Sequence, residues 1–143
     1  RLYRAYQKEI FLSEGVEEFL DYCKAHNIFI AILTNGRPKS QYAKVIALDL
    51  HRWFDDDHIF ISGGIGYQKP DPMAFQYIEK MFSLNPEETW YIGDTYEADV
   101  VGADDAGWHT VWFNHRNRER LENCADVTVR SIEELSRFIR ERS

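Results

Sequence analysis

Short apolar runs alternate with segments of helical periodicity along most of the chain. Continuous runs bounded by turn residues predict buried strands at residues 28–33, 58–62, 89–93, 109–113 and 126–129. Strands that are apolar on both faces are typical of a parallel sheet covered by helices. The alternating order therefore predicts an α/β fold, with a Rossmann-like parallel sheet and helices on both of its faces.

The segments between the predicted strands carry signals for the start of a helix. Polar N-caps and first-turn prolines mark these starts, at Ser13, Pro38, Asp71–Pro72 and Ser131. Glu134 completes a capping box with Ser131. The segment after residues 89–93 predicts an acidic helix that ends at Gly107.

Composition limits the classes of protein that remain. The 143 residues are 44% hydrophobic and 29% charged, as expected for one soluble globular domain, and no apolar run approaches the length of a membrane span. The net charge of −7 opposes binding to a nucleic acid polymer. Cys23 and Cys124 lie far apart without metal-ligand spacing, which favours reduced thiols and a cytoplasmic location.

Polar residues that could bind phosphate follow two of the apolar segments. Thr34 offers a hydroxyl, and Asn35 and Gly36 offer backbone N–H groups in a turn beside a helix start. Such a turn can hold an anion. Lys69 adds a compact positive charge. Because the carboxyl ends of parallel strands meet at one edge, we expect Thr34, Lys69 and Asp94 to converge there.

Two carboxylates after residues 89–93 suggest a site for a divalent cation. Asp94 offers a hard oxygen ligand directly after the strand, and Asp99 lies five residues further on, where it can bind a ligand water. A metal beside a lysine and a hydroxyl indicates phosphate chemistry. Each of these signals is weak alone, and their order and placement together give the prediction its weight.

Other candidate groups have simpler interpretations. The five histidines share no helical face or HxH spacing, so packing or surface positions are favoured over metal binding. The basic loop of residues 114–120 could touch an anionic substrate, although a solvated surface loop is the simpler interpretation. Asp55–Asp57 precedes a strand instead of ending one and is interpreted as a loop.

The ordered motifs resemble those of the haloacid dehalogenase-like hydrolase superfamily. Its second, third and fourth motifs are similar to Thr34, Lys69 and Gly93–Asp94 with Asp99, and the resemblance extends from about residue 13 to residue 113. The segments TNG, KPDP and GDT, with Gln41 between the first two, look most like the pyrimidine 5′-nucleotidase subgroup. This resemblance implies a phosphatase rather than a dehalogenase, with nucleoside monophosphates as candidate substrates.

The resemblance also implies a mechanism. It is Mg²⁺-dependent hydrolysis of a small phosphorylated metabolite through an aspartyl-phosphate. Asp94 would be a direct metal ligand and Asp99 an outer-shell one. Thr34 and Asn35 would donate to the phosphoryl oxygens, with Lys69 as a charge clamp.

The family's first motif, DxDxT, does not occur in the sequence. Residues 1–12 look like the end of a helical cap, and residues 13–143 look like the C-terminal part of the core domain. The resemblance therefore implies an upstream segment that carries the nucleophile strand, without which we expect an inactive chain and a gap of about 10 Å in the sheet. The alternative from another functional class is a catalytically inactive anion-binding or interaction module.

Overall fold

A computed structural model of the protein describes residues 2–3, 11 and 13–143. Within these residues the strands are β1 (Leu2–Tyr3), β2 (Ala31–Thr34), β3 (Ile59–Ile61), β4 (Trp90–Gly93), β5 (His109–Phe113) and β6 (Val127–Val129). They form one sheet in the order β3-β2-β1-β4-β5-β6, and every neighbouring pair is parallel. The predicted α/β class and parallel sheet are confirmed.

Helices fill the connections between the strands. From residue 13 onward the α-helices are α1 (Val16–Ala25), α2 (Pro38–Ala47), α3 (Ser62–Ile65), α4 (Pro72–Phe82), α5 (Gly102–Asp105) and α6 (Ile132–Arg142). The same part of the chain contains three short 3₁₀ helices and one π-helix, at Leu50–Arg52, Asp56–His58, Pro86–Glu88 and Tyr96–Val101. In the part of the chain that the structure describes, no helix combines the length and the apolar composition needed to cross a bilayer.

Two apolar clusters cover the two faces of the sheet. One packs α1 and α6 against strand residues such as Ile32 and Ile92. The other packs α4 and α5 against Leu33 and Tyr91, the neighbours of those residues along the strands. Successive strand residues point to opposite faces, so a strand buried on both sides is apolar throughout, as the sequence pattern indicated.

Local signals were accurate in some places and misplaced in others. The Asp71 side chain caps α4 by accepting from the Met73 N–H at 2.9 Å, as predicted. The predicted cap Ser13 is not the N-cap of α1, which is Gly15 in a left-handed conformation. The predicted acidic helix begins with a π-helical turn before α5, and the predicted strand 28–33 lies instead at Ala31–Thr34, because pairing with its neighbours sets its bounds.

The central position of the sheet differs from the expectation. A gap was expected there, but β1 pairs with β2 through Leu2 and Tyr3 and with β4 through Leu2. Strands β2 and β4 are therefore bridged in this structure. The expected cap remnant at residues 1–12 lies mostly outside the described residues, and of this segment the sheet contains residues 2–3.

Candidate active site

The predicted phosphate-binding segments meet at the carboxyl edge of the sheet. Thr34 is the last residue of β2 and Asp94 follows the last residue of β4, and both strands are parallel to the β1 strand between them. Lys69 is held at the same edge by Asn35, whose side chain donates to the Lys69 carbonyl and accepts from its N–H, both at 2.9 Å. The predicted convergence of Thr34, Lys69 and Asp94 is confirmed, although these contacts do not test their chemical roles.

The hydroxyl of Thr34 has a fixed partner. Thr34 is fully buried, and its Oγ1 accepts a hydrogen bond of 2.7 Å from Nε2 of Gln41, a buried residue one turn into α2. A hydroxyl that accepts from an amide N–H keeps its own proton for another acceptor. Gln41 therefore directs Thr34 to act as a donor, a role that suits contact with an anion.

The turn after Thr34 is used differently from the prediction. The Gly36 N–H donates a hydrogen bond to Ser62 Oγ at 2.9 Å, so this donor is used within the protein and is not directed at a ligand. Gly36 has a φ of 144°, and a Cβ there would lie 2.7 Å from Cγ of Gln41. The backbone conformation and the lack of space therefore explain why this residue is glycine. The geometry does not support the predicted role of the Gly36 N–H as a donor to a bound anion.

Lys69 is the centre of a buried polar network. Its ammonium donates to Asp99 Oδ1 at 2.9 Å and to the Tyr91 hydroxyl at 2.7 Å. The side chains of Lys69 and Asp99 are both completely shielded from solvent. The second oxygen of Asp99, Oδ2, accepts from the Thr95 N–H at 2.9 Å. Asp99 thus orients Lys69 in this structure, which differs from the outer-shell metal role expected from the sequence.

The Asp94 carboxylate is buried beside two basic side chains. Its Oδ2 lies 3.4 Å from His115 Nε2 and 3.5 Å from the Arg116 guanidinium. The Asp94 carbonyl accepts from Trp112 Nε1 at 3.2 Å. These contacts place a shielded carboxylate with neighbouring positive charge at the predicted position for a metal or phosphate ligand.

The basic loop of residues 114–120 is therefore not simply a solvated surface loop. Asn114 anchors it by bonding both the N–H and the carbonyl of Arg118, and Arg120 stacks 3.8 Å above the Tyr96 ring. This placement of the loop was not predicted from the sequence. Because β5 is the neighbour of β4 in the sheet, residues just past β5 must lie beside Asp94, and this topological signal could have identified them.

The described residues do not by themselves form a complete metal site. They contain no group of three His, Cys, Asp or Glu side chains that could hold a metal ion. Asp94 has the hard carboxylate oxygens that Mg²⁺ prefers. The Asp94 carboxylate is thus chemically compatible with Mg²⁺, and its role as a ligand stays a prediction.

Comparison with known proteins agrees with this geometry. Residues 2–107 match the family model described as haloacid dehalogenase-like hydrolase. A glyceraldehyde 3-phosphate phosphatase of Pyrococcus furiosus is 31% identical over 85% of this chain and 51% of its own length. The pyrimidine 5′-nucleotidase YjjG of Escherichia coli is 33% identical over 79% of this chain and 50% of its own length.

Solved structures show the same relationship. The HAD-hydrolase YfnB of Bacillus subtilis, in a structure bound to magnesium, superposes with a TM-score of 0.79 and 30% identity, over 88% of this chain and 55% of that one. This chain spans about half the length of the curated relatives that it matches. The sequence motifs, the parallel sheet and the family match together show that the chain belongs to the haloacid dehalogenase-like hydrolases.

Proposed function

We propose that the protein containing this chain is a phosphatase that hydrolyses monoesters of small phosphorylated metabolites. The observation that carries the proposal is the buried ammonium of Lys69, held by Asp99 and Tyr91 at the edge where Thr34 and Asp94 lie. A phosphoryl group in transfer gains charge on its oxygens, and a water-shielded cation stabilises that charge strongly. The named phosphatase and nucleotidase relatives support the same chemistry.

The roles proposed for the residues follow from their contacts. Lys69 attracts the phosphoryl oxygens by its positive charge. The Thr34 hydroxyl, oriented by Gln41, donates a hydrogen bond to one of these oxygens. The Asn35 N–H is proposed as a second donor. The proposed nucleophile is an aspartate of a DxDxT segment, a motif that these 143 residues do not contain. Its oxygen bonds to phosphorus as the bond to the alcohol breaks, and water then releases inorganic phosphate.

Mg²⁺ is the proposed cofactor, with Asp94 as the ligand that this chain contributes. When bound, it would supply positive charge beside the transferred phosphoryl group. Asp94 is proposed as the direct ligand because it follows β4 at the carboxyl edge of the sheet, whereas Asp99 accepts hydrogen bonds from Lys69 and from the Thr95 N–H. We expect the 143-residue chain to bind Mg²⁺ only weakly in calorimetry, with Asp94→Asn as the control. Tight binding that depends on Asp94 would contradict this, because it would require a more complete site.

The substrate class proposed from the sequence is a nucleoside monophosphate. The relatives' names point to more than one phosphate monoester, so the proposal is tested by comparing kcat/KM for a pyrimidine nucleoside monophosphate and for glyceraldehyde 3-phosphate. Preference for the nucleotide supports the finer proposal. Preference for the triose phosphate would overturn it and leave the phosphatase activity in place.

The catalytic proposal is tested by Lys69→Ala in the longer enzyme that includes the upstream segment. We expect kcat for para-nitrophenyl phosphate to fall by about 10²- to 10³-fold, because transition-state charge stabilisation is lost. The matched control is Lys80→Ala, on the exposed side of α4. Near-normal turnover in folded Lys69→Ala would contradict the proposal, and an inactive wild type would favour the anion-binding module.

A further inference from the structure

A buried tyrosine outside the sequence motifs lies inside the candidate site. Tyr91 is the second residue of β4 and is 1% exposed. Its hydroxyl lies 2.7 Å from Lys69 Nζ and 3.0 Å from the Leu33 carbonyl. The Tyr91 hydroxyl therefore links Lys69 to Leu33, the residue of β2 that precedes Thr34.

The direction of both hydrogen bonds is fixed by chemistry. A lysine ammonium only donates and a peptide carbonyl only accepts, so the Tyr91 hydroxyl accepts from Lys69 and donates to Leu33. A neutral acceptor stabilises the ammonium without adding a second negative charge. The hydroxyl thus sets the position of the Lys69 charge, while Asp99 supplies its counter-charge.

The Tyr91 ring is held in place by aromatic neighbours in the core. It packs edge-on against Phe75 at 5.1 Å between centroids, and Phe75 packs in the same manner against Trp108 at 5.4 Å. These rings belong to the apolar cluster that packs α4 and α5 onto the sheet. Because the ring is fixed in a dense core and on a central strand, the hydroxyl has little freedom to move.

We propose that Tyr91 is a positioning residue of the phosphatase site, which holds the Lys69 ammonium at the carboxyl edge of β2. The inference rests on the proposed function, since it concerns how Lys69 reaches the phosphoryl group. Electrostatic stabilisation of a transition state depends on donors that are already in place before reaction. Loss of the hydroxyl therefore leaves the Lys69 charge present but less precisely placed.

The test is Tyr91→Phe, which removes the hydroxyl and keeps the ring. In the longer enzyme we expect kcat for para-nitrophenyl phosphate to fall by about 10-fold, with a smaller change in KM, as for an interaction made chiefly in the transition state. Tyr77→Phe is the matched control, because Tyr77 packs against the same apolar cluster from α4. This control is expected to keep wild-type kcat.

A double-mutant cycle separates positioning from general stability. If Tyr91 acts through Lys69, Tyr91→Phe has no further effect on the residual turnover of Lys69→Met. An equal fold-loss in both backgrounds would overturn the inference, as would unchanged kcat in Tyr91→Phe. A Tyr91→Phe variant that fails to fold would also overturn it, because the hydroxyl would then serve the fold. An inactive wild type would instead refute the proposed function itself.

Discussion

The Lys69 ammonium and the Asp99 carboxylate form a salt bridge of 2.9 Å in which neither side chain is exposed to solvent. The two residues are 30 positions apart, with Lys69 in the turn before α4 and Asp99 in the π-helix Tyr96–Val101 that follows β4. Burying two charges is costly unless each is paired and bonded, and here Asp99 bonds Thr95 through its second oxygen. The salt bridge therefore holds the segment that contains Lys69 against the segment that contains Asp94 and Asp99.

Asp99→Asn tests the stabilising role of this pair. We expect the free energy of unfolding to fall by about 3–5 kcal/mol, because the variant removes the carboxylate that pairs with the buried ammonium. Urea unfolding followed by circular dichroism measures the change. Asp105→Asn, an exposed residue of α5, is the control and should change stability by less than about 0.5 kcal/mol. Equal effects of the two substitutions would contradict the prediction.

Gly93→Ala tests the close packing around the same carboxylate. A Cβ at residue 93 would lie closer than 3.0 Å to three atoms of Asp99, so the carboxylate would have to move away from Thr95 and Lys69. We expect a loss of about 1–3 kcal/mol in urea unfolding. Gly64→Ala is the matched control, because its Cβ meets Pro38 at an ordinary 3.9 Å. A Gly93→Ala chain as stable as this control would show that Asp99 can be displaced without cost.

Gln41→Leu tests the orientation of Thr34. Without the 2.7 Å hydrogen bond from Nε2, the Thr34 hydroxyl is no longer directed to donate. We expect kcat/KM for para-nitrophenyl phosphate to fall by about 10-fold in the longer enzyme, the size expected for one misaligned donor to a charged group. The exposed Gln68→Leu is the control. The effect should disappear in a Thr34→Val background, and an undiminished effect there would contradict the assigned role.

The surface cluster of Tyr42, His51 and Asp56 predicts a dependence of stability on pH. The hydrogen bond from Tyr42, and then that from His51, lowers the pKa of the Asp56 carboxyl below its ordinary 3.8. A lowered folded-state pKa gives stability that is present above the unfolded-state pKa and is lost as the pH falls through the folded-state value. Asp56→Asn should therefore be less stable than wild type near neutral pH.

Urea unfolding of wild type and Asp56→Asn over a pH series measures this difference. It should shrink in acid, below the ordinary Asp56 pKa of 3.8, and a difference that is constant across the series would contradict the assignment. Tyr42→Phe provides a second variant. The hydrogen bond to Asp56 raises the pKa of Tyr42 above its ordinary 10.0, so on the alkaline side its contribution should be lost as the pH rises through that raised value.

The α/β class, the parallel sheet and the order of the motif segments could be predicted from the amino-acid sequence. These features depend on local signals: apolar runs specify buried strands, and Asp71 before Pro72 specifies a helix start whatever surrounds it. The edge at which Thr34, Lys69 and Asp94 meet also followed from the sequence, because parallel strands must end on one side. Ser13 shows the limit of such signals, since Gly15 takes the N-cap instead.

The side chains that contact the motif residues could be identified only from the three-dimensional structure. The Tyr91 hydroxyl contacts the Leu33 carbonyl, 58 positions away in the sequence. Arg116, in the loop after β5, contacts Asp94, which follows the neighbouring strand β4. Such contacts depend on strand order and on dense packing, which no local pattern of apolar and polar residues encodes. The hydrogen bond from the Gly36 N–H to Ser62 is a further example, because it depends on the pairing of β3 with β2.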